Sequence, residues 1–152
     1  IDKDGKLLGN PVCYRDSRTD GIPERVFKQI DQTVHYAETG IQVMPINTLF
    51  QLYSMKQNDD VQLRVADKLL FMPDLFSYFL TGVANNEYCI ASTSELLDAR
   101  QRNWSDNLIS ELGSMSLLLL RMTQPVPYLP FPPMNPIGLI SVREPGLYSG
   151  QR

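Results

Sequence analysis

The stretch YRDSRTDG, residues 14–21, sets an aromatic ring, two arginines, two aspartates and two hydroxyls beside a glycine. Guanidinium groups donate as planar forks, carboxylates accept from hydroxyls, and a tyrosine face can pack on the C–H face of a sugar. The cluster therefore has the chemistry to hold a polyol. An internal Arg–Asp pair that fixes the loop ahead of the next helix would use the same residues. The cluster taken alone leaves both readings open.

Other chemistries find less support. The nine glycines form neither GxxxxGK[ST] nor GxGxxG, so backbone amides cannot wrap a nucleotide phosphate in those ways. His35, the single histidine, lies in a helical stretch between Val34 and Tyr36 with no nucleophile elbow. It is expected to be a surface or packing residue. Asp59 and Asp60 are expected to cap a helix, because adjacent side chains at a helix start point apart and do not converge on one proton or metal. Cys13 and Cys89, with His35, cannot assemble a structural zinc site and read as two free thiols in a reducing cytoplasm.

Length and charge agree with a single small domain. A chain of 152 residues, 43% hydrophobic, can bury a core. A net charge of -3 with pI about 5.1, and basic residues that are scattered, argues against a sequence-independent grip on nucleic acid. There is no charged and apolar leader and no apolar run of about 18 residues, so neither export nor a membrane span is expected. The chain opens Ile1-Asp2 without an initiating methionine, which reads as a processed or truncated start.

The elements that must position these residues are legible from caps and periodicity. Asp4-Gly5 between apolar flanks predicts a hairpin turn, with a second short strand running toward Pro11. A helix is expected from about Ser17, aided by Asp20 and Pro23, with Ile22, Val26, Ile30 and Val34 recurring every four residues and Phe27 widening the stripe. Thr39-Gly40 ends it. Asn47 or Thr48 should cap a helix that turns Leu49, Leu52, Tyr53 and Met55 to the core, and Asp59 or Asp60 a shorter one. LLFM before Pro73 reads as a buried strand or core approach, and PDLFSYFLTG as a short buried helix stopped by Gly82. EYCIASTSELLDAR passes from an extended segment into a helical turn. NWSDNLISELG is a helix capped by Ser105 that buries Leu108, Ile109 and Leu112 and ends at Gly113.

Beyond that the character changes. Met115 to Arg143 contains no Asp or Glu, and six of the eleven prolines fall between Pro125 and Pro136. Proline at that density forbids regular helix and central strand. A Pro-rich segment that wraps the domain or is disordered beside it, and a tail that is not the evolved continuation of what precedes it, for instance through a frame shift, both fit. The chain divides on this reading into 1–113 and a Pro-rich tail at 114–152.

Read in order, DKDGKLLGNPVCYRDSRTDG, TGIQVMPINTLFQL, ADKLLFMPDLFSYFLTG, NEYCIASTSELLDAR and NWSDNLISELG resemble the amino-terminal domain of the FGGY carbohydrate kinases, nearest to their rhamnulokinase branch. The resemblance runs from residue 1 to about 112. It implies a mainly helical α/β fragment with a few short strands, from an actin-like ATPase with ribonuclease-H-like domains. It further implies phosphoryl transfer from ATP, with magnesium, to L-rhamnulose or a related ketose, giving for L-rhamnulose the 1-phosphate. The family's phosphate-binding Asp-Gly turn precedes the segment present here and its proposed base, in a His-Asp-Thr stretch, follows the departure after Gly113. The isolated chain is accordingly expected to bind neither ATP nor metal and to be inactive. Tyr14 matches a place where the family presents an aromatic to substrate, and Arg15 follows it; Asn47 and Gln51 lie where the family's loop and helix approach the sugar. Asp16, Arg18 and Asp20 are expected to be structural. Without the central strands that its helices should cover, Phe76, Phe79 and Leu80 are expected to be exposed or repacked. A different class of function, a non-catalytic sugar-binding or interaction module using the YRDSRT face and the Pro-rich tail, stays open beside the kinase reading.

Overall fold

Helix α3, Thr48–Gln57, supplies the largest share of the core because four of its first six residues are large and apolar. Leu49, Phe50, Leu52 and Tyr53 are all buried, and they meet Ile22 and Val26 of helix α1, Ile22–Val26. The computed structural model describes residues 1–111 and 125–126. Phe71, Ala91, Leu96, Leu97, Trp104, Leu108 and Ile109 complete the same apolar cluster. Phe27 meets Phe50 edge-on at 6.0 Å, and Phe71 stacks on Trp104 at 6.4 Å.

The remaining helices are α2 (Gln32–Thr39), α4 (Val61–Val65), α5 (Met72–Thr81), α6 (Tyr88–Ser92) and α7 (Asp106–Glu111). The strands are short. Strand β1, Asn86–Glu87, pairs in parallel with β4, Pro125–Val126, while β2, Leu97–Asp98, pairs antiparallel with β3, Asn103–Trp104. The Asp98 carboxylate accepts from the amides of Arg100 and Gln101 and so shapes the turn between β2 and β3. Helix content thus dominates, with an α/β arrangement of small strand pairs.

Several expectations hold in detail. Asp60 caps α4 by accepting from the Gln62 amide, and Ser105 Oγ accepts from Leu108 at the start of α7. Gly40 and Gly82 close α2 and α5 in the left-handed conformation, at φ 66° and 73°, where a residue with a Cβ would be strained. Leu112, Gly113 and all of the Pro-rich stretch except Pro125–Val126 lie outside the described residues.

Others need correction. The single helix expected from about Ser17 to Thr39 is three pieces: a 3-10 turn at Ser17–Thr19, α1, and α2. Asp31 is the reason, since its carboxylate accepts from Thr33 and Val34 amides at 2.8 and 3.0 Å and starts a new helix instead of continuing the old one. Asp20 closes the 3-10 turn, and the residue before α1 is Gly21. With the phase reset, Val34 is exposed and His35 takes the buried place.

At the amino end the Asp4-Gly5 turn forms, held by Asp2 accepting from the Asp4 and Lys6 amides, but residues 6–12 run as irregular chain without strand pairing among the described residues. Residues 67–71 approach the core in the same irregular way and end on buried Phe71. Helix α5 is not the buried helix expected from its composition: Leu75 and Asp74 face inward, whereas Phe76, Phe79 and Leu80 are exposed. That outcome matches the expectation that these three would lack cover.

Because Phe50 has no exposed surface at the centre of the cluster, Phe50→Ala should lower unfolding free energy by about 3–5 kcal/mol. Urea denaturation followed by circular dichroism checks this. A loss under about 1 kcal/mol would mean that the core is not closed around α3.

Candidate functional site

Tyr14 and Arg15 lie on the segment that runs into the 3-10 turn. Tyr14 is half exposed. The Arg15 guanidinium sits over its ring at 5.3 Å from the centroid, and Arg15 Nε donates to the Tyr14 hydroxyl at 3.0 Å. The two side chains therefore form one outward platform, with an aromatic face, a cation and a hydroxyl, whose partners are each other.

Behind the platform the segment is fixed. Asp16 accepts from the Arg18 amide at 3.2 Å and ion-pairs with the Arg18 guanidinium at 3.4 Å. Ser54 Oγ on α3 donates to the Arg18 carbonyl at 2.8 Å. Asp16 and Arg18 thus brace the turn against α3.

Asn47 immediately precedes that helix and Gln51 lies in its first turn, on an element in direct contact with the platform's own segment. Asn47 is buried and does not cap α3 with its side chain. Its amide nitrogen donates to Glu95 Oε1 at 2.6 Å and, at 3.4 Å, to the Gln42 carbonyl. Gln51 is half-buried, with Nε2 donating to the Ile46 carbonyl at 3.4 Å and Oε1 without a hydrogen-bond partner. Among the described residues no hydrogen bond joins the Tyr14–Arg15 platform to Asn47 or Gln51.

The partner of Asn47 was not singled out from sequence. Glu95 is a fully buried carboxylate in a left-handed backbone conformation, φ 63°, just before β2. Besides Asn47, its Oε1 accepts from the Met44 amide at 3.1 Å, and its Oε2 lies 3.5 Å from His35 Nε2. One residue earlier, the Ser94 carbonyl accepts from the Leu49 amide at 3.0 Å and so satisfies a donor in the first turn of α3. Loss of hydration pushes the Glu95 carboxyl up to about 7, against the two donors that favour its charged form. Burial likewise lowers the His35 imidazole below its ordinary value. A lone glutamate among serines and leucines carries no local sign that its partners lie 48 and 60 residues away.

Among the described residues no three His, Cys, Asp or Glu side chains gather to hold a metal ion, so no step of phosphoryl transfer is assigned to them. Among the described residues, too, no helix is long and apolar enough to cross a membrane.

The family model for the FGGY family of carbohydrate kinases, N-terminal domain, matches residues 1–124. Rhamnulokinase of Bacteroides thetaiotaomicron (strain ATCC 29148 / DSM 2079 / JCM 5827 / CCUG 10774 / NCTC 10582 / VPI-5482 / E50) is 47% identical over 113 residues, 74% of this chain and 23% of that protein. Rhamnulokinase of Enterobacter sp. (strain 638) is 40% identical over 113 residues with the same coverage. That of Oceanobacillus iheyensis (strain DSM 14371 / CIP 107618 / JCM 11309 / KCTC 3954 / HTE831) is 38% identical over 125 residues, 82% of this chain and 27% of that protein. The chain thus spans about a quarter of the length of these curated relatives. Two solved structures share its fold. Gluconate kinase from Lactobacillus acidophilus matches with TM-score 0.70 at 19% identity, covering 87% of this chain and 26% of that one. Ligand-bound xylulose kinase from Lactobacillus acidophilus matches with TM-score 0.72 at 17% identity and the same coverage. With the family model matched along residues 1–124 of 152, the chain belongs to the FGGY family of carbohydrate kinases.

Proposed function

We propose that these residues form part of the sugar-facing wall of a kinase that transfers the terminal phosphoryl group of ATP to L-rhamnulose, giving L-rhamnulose 1-phosphate. The observation that carries this reading is the 38–47% identity to three rhamnulokinases over 113–125 residues. Enzymatic phosphoryl transfer depends mainly on positioning and electrostatic stabilisation, so a wall that fixes the sugar contributes to rate without touching the phosphate.

Within that wall Tyr14 packs its exposed face on the sugar's C–H surface, and Arg15 offers donors to its hydroxyls. Gln51 stands at the first turn of α3 with an unpartnered carbonyl oxygen. Asn47 acts by shape, because its amide is already given to Glu95. ATP, magnesium and the base are supplied by parts of a kinase outside the described residues. Two unpaired, exposed thiols, Cys13 and Cys89, support a reducing compartment such as the cytoplasm.

Titration calorimetry of L-rhamnulose into the purified 152-residue chain should show saturable binding. Tyr14→Ala should weaken it by roughly tenfold or more, the scale of one lost contact. A chain that is folded by circular dichroism yet gives no heat would sink the sugar-wall reading. The same 152-residue polypeptide should show no L-rhamnulose-dependent ATP hydrolysis, and measurable turnover in a coupled assay would contradict this division of labour between the wall and the rest of a kinase.

A further inference from the structure

The two oxygens of Glu95 do different work. Oε1 is taken by two donors, the Asn47 amide nitrogen at 2.6 Å and the Met44 amide at 3.1 Å, both on the segment that leads into α3. A proton on Glu95 therefore goes to Oε2, which faces His35 Nε2 at 3.5 Å. Neither side chain has exposed surface, and among the described residues no lysine or arginine is ion-paired with either. The groups around them are few. Phe27 lies edge-on to the imidazole at 5.4 Å, and the Glu95 carbonyl is 3.4 Å from Nε2. Glu38, on the same helix as His35, is the other charged group acting on the imidazole, and its carboxylate is turned to Ser105 and Asn107.

We propose that Glu95 is a positioning residue: the proton held between its Oε2 and His35 Nε2 sets the charge on the oxygen that grips Met44 and Asn47, so the hold on segment 41–47 depends on pH. In the protonated state Oε2–H donates to Nε2 and the neutral imidazole carries its own proton on Nδ1, a buried nitrogen without a hydrogen-bond acceptor among the described residues, which disfavours this state. Release of one proton to solvent leaves a carboxylate, and the remaining imidazole proton sits on Nε2 and donates back to Oε2. The imidazole stays neutral in both states, as its burial requires, and the ionised Oε1 becomes the stronger acceptor for both donors. Insofar as Asn47 shapes the sugar wall, which rests on the function proposed above, the hold on that part of the wall changes as pH passes through neutrality.

Nitrogen-15 NMR on the chain tests this without any sugar, so its outcome is separate from that of the binding experiment. Between pH 5.5 and 8.5 the Met44 amide, the Asn47 side-chain amide and the His35 ring nitrogens should move with one common midpoint, close to the value of about 7 to which burial pushes Glu95. Glu95→Gln keeps an acceptor oxygen for both donors and should abolish the movement at Met44 and Asn47. Flat wild-type resonances would overturn the proposal, as would an imidazole that titrates to its charged form near 6.5. So would a Glu95→Gln spectrum that titrates like wild type. Should that variant not fold, His35→Gln serves in its place, and the midpoint at Met44 should then move.

Stability provides a second readout, with a definite sign. The folded value of Glu95 is raised from 4.5, so its contribution is complete below 4.5 and is lost as pH rises through about 7. His35 is lowered from 6.5, so its contribution is complete above 6.5 and is lost as pH falls. Above pH 6.5 only the Glu95 slope remains of the pair. The melting temperature of Glu95→Gln relative to wild type should therefore rise between pH 6.5 and 8.5, and a constant difference would overturn the proposal.

Discussion

A carboxylate taken wholly out of water has to be met by donors or hold a proton, and at Glu95 that requirement joins three parts of the chain. Met44 and Asn47 bring the approach to α3, His35 brings α2, and the neighbouring Ser94 carbonyl ties down the first turn of α3. The left-handed backbone at Glu95 costs on the order of 1–2 kcal/mol for a residue with a Cβ, and it persists because the surrounding contacts over-determine it. Once α3 is set in place by this turn, its buried face organises α1 and the core, and Ser54 on the same helix braces the segment that carries Tyr14. The polar junction and the apolar core are thus two sides of one helix.

What the sequence made legible is what it encodes within one or two turns. Asp60 and Ser105 as caps, Gly40 and Gly82 as stops, and the apolar face of α3 all follow from side chains acting on their immediate backbone. The failures have the same logic. The repeat of Ile22, Val26, Ile30 and Val34 suggested one continuous helix, yet Asp31 captures two amides of its own and restarts the chain in a new phase. The Asp4-Gly5 turn formed from local donors, whereas pairing of its flanks needed partners that the local residues do not provide. Glu95 and His35 were illegible as a pair because their closeness is created only by the fold.

The candidate site divides in the same way. Tyr14 and Arg15 project outward as a coupled platform, and their assignment came from resemblance, with composition alone undecided between a sugar contact and a braced loop. Asp16 and Arg18 form the brace, while Tyr14 and Arg15 contact each other outside it. Asn47, expected at the sugar, is turned inward to Glu95, so a family-like position is filled by a residue whose donor serves the scaffold. Helix α5 keeps Asp74 and Leu75 for the interior and leaves Phe76, Phe79 and Leu80 outside, which its composition alone did not reveal.

The most direct test of a sugar wall is a map of where the sugar touches the chain. Titration of L-rhamnulose into nitrogen-15-labelled protein should shift the backbone resonances of Tyr14 and Arg15 and those of residues 46–51, with the shifts saturating together. Shifts confined instead to the cleft of about 230 Å³ between residues 7–12 and helices α3 and α4, or absent from a folded sample, would contradict the claim that these residues form a sugar wall.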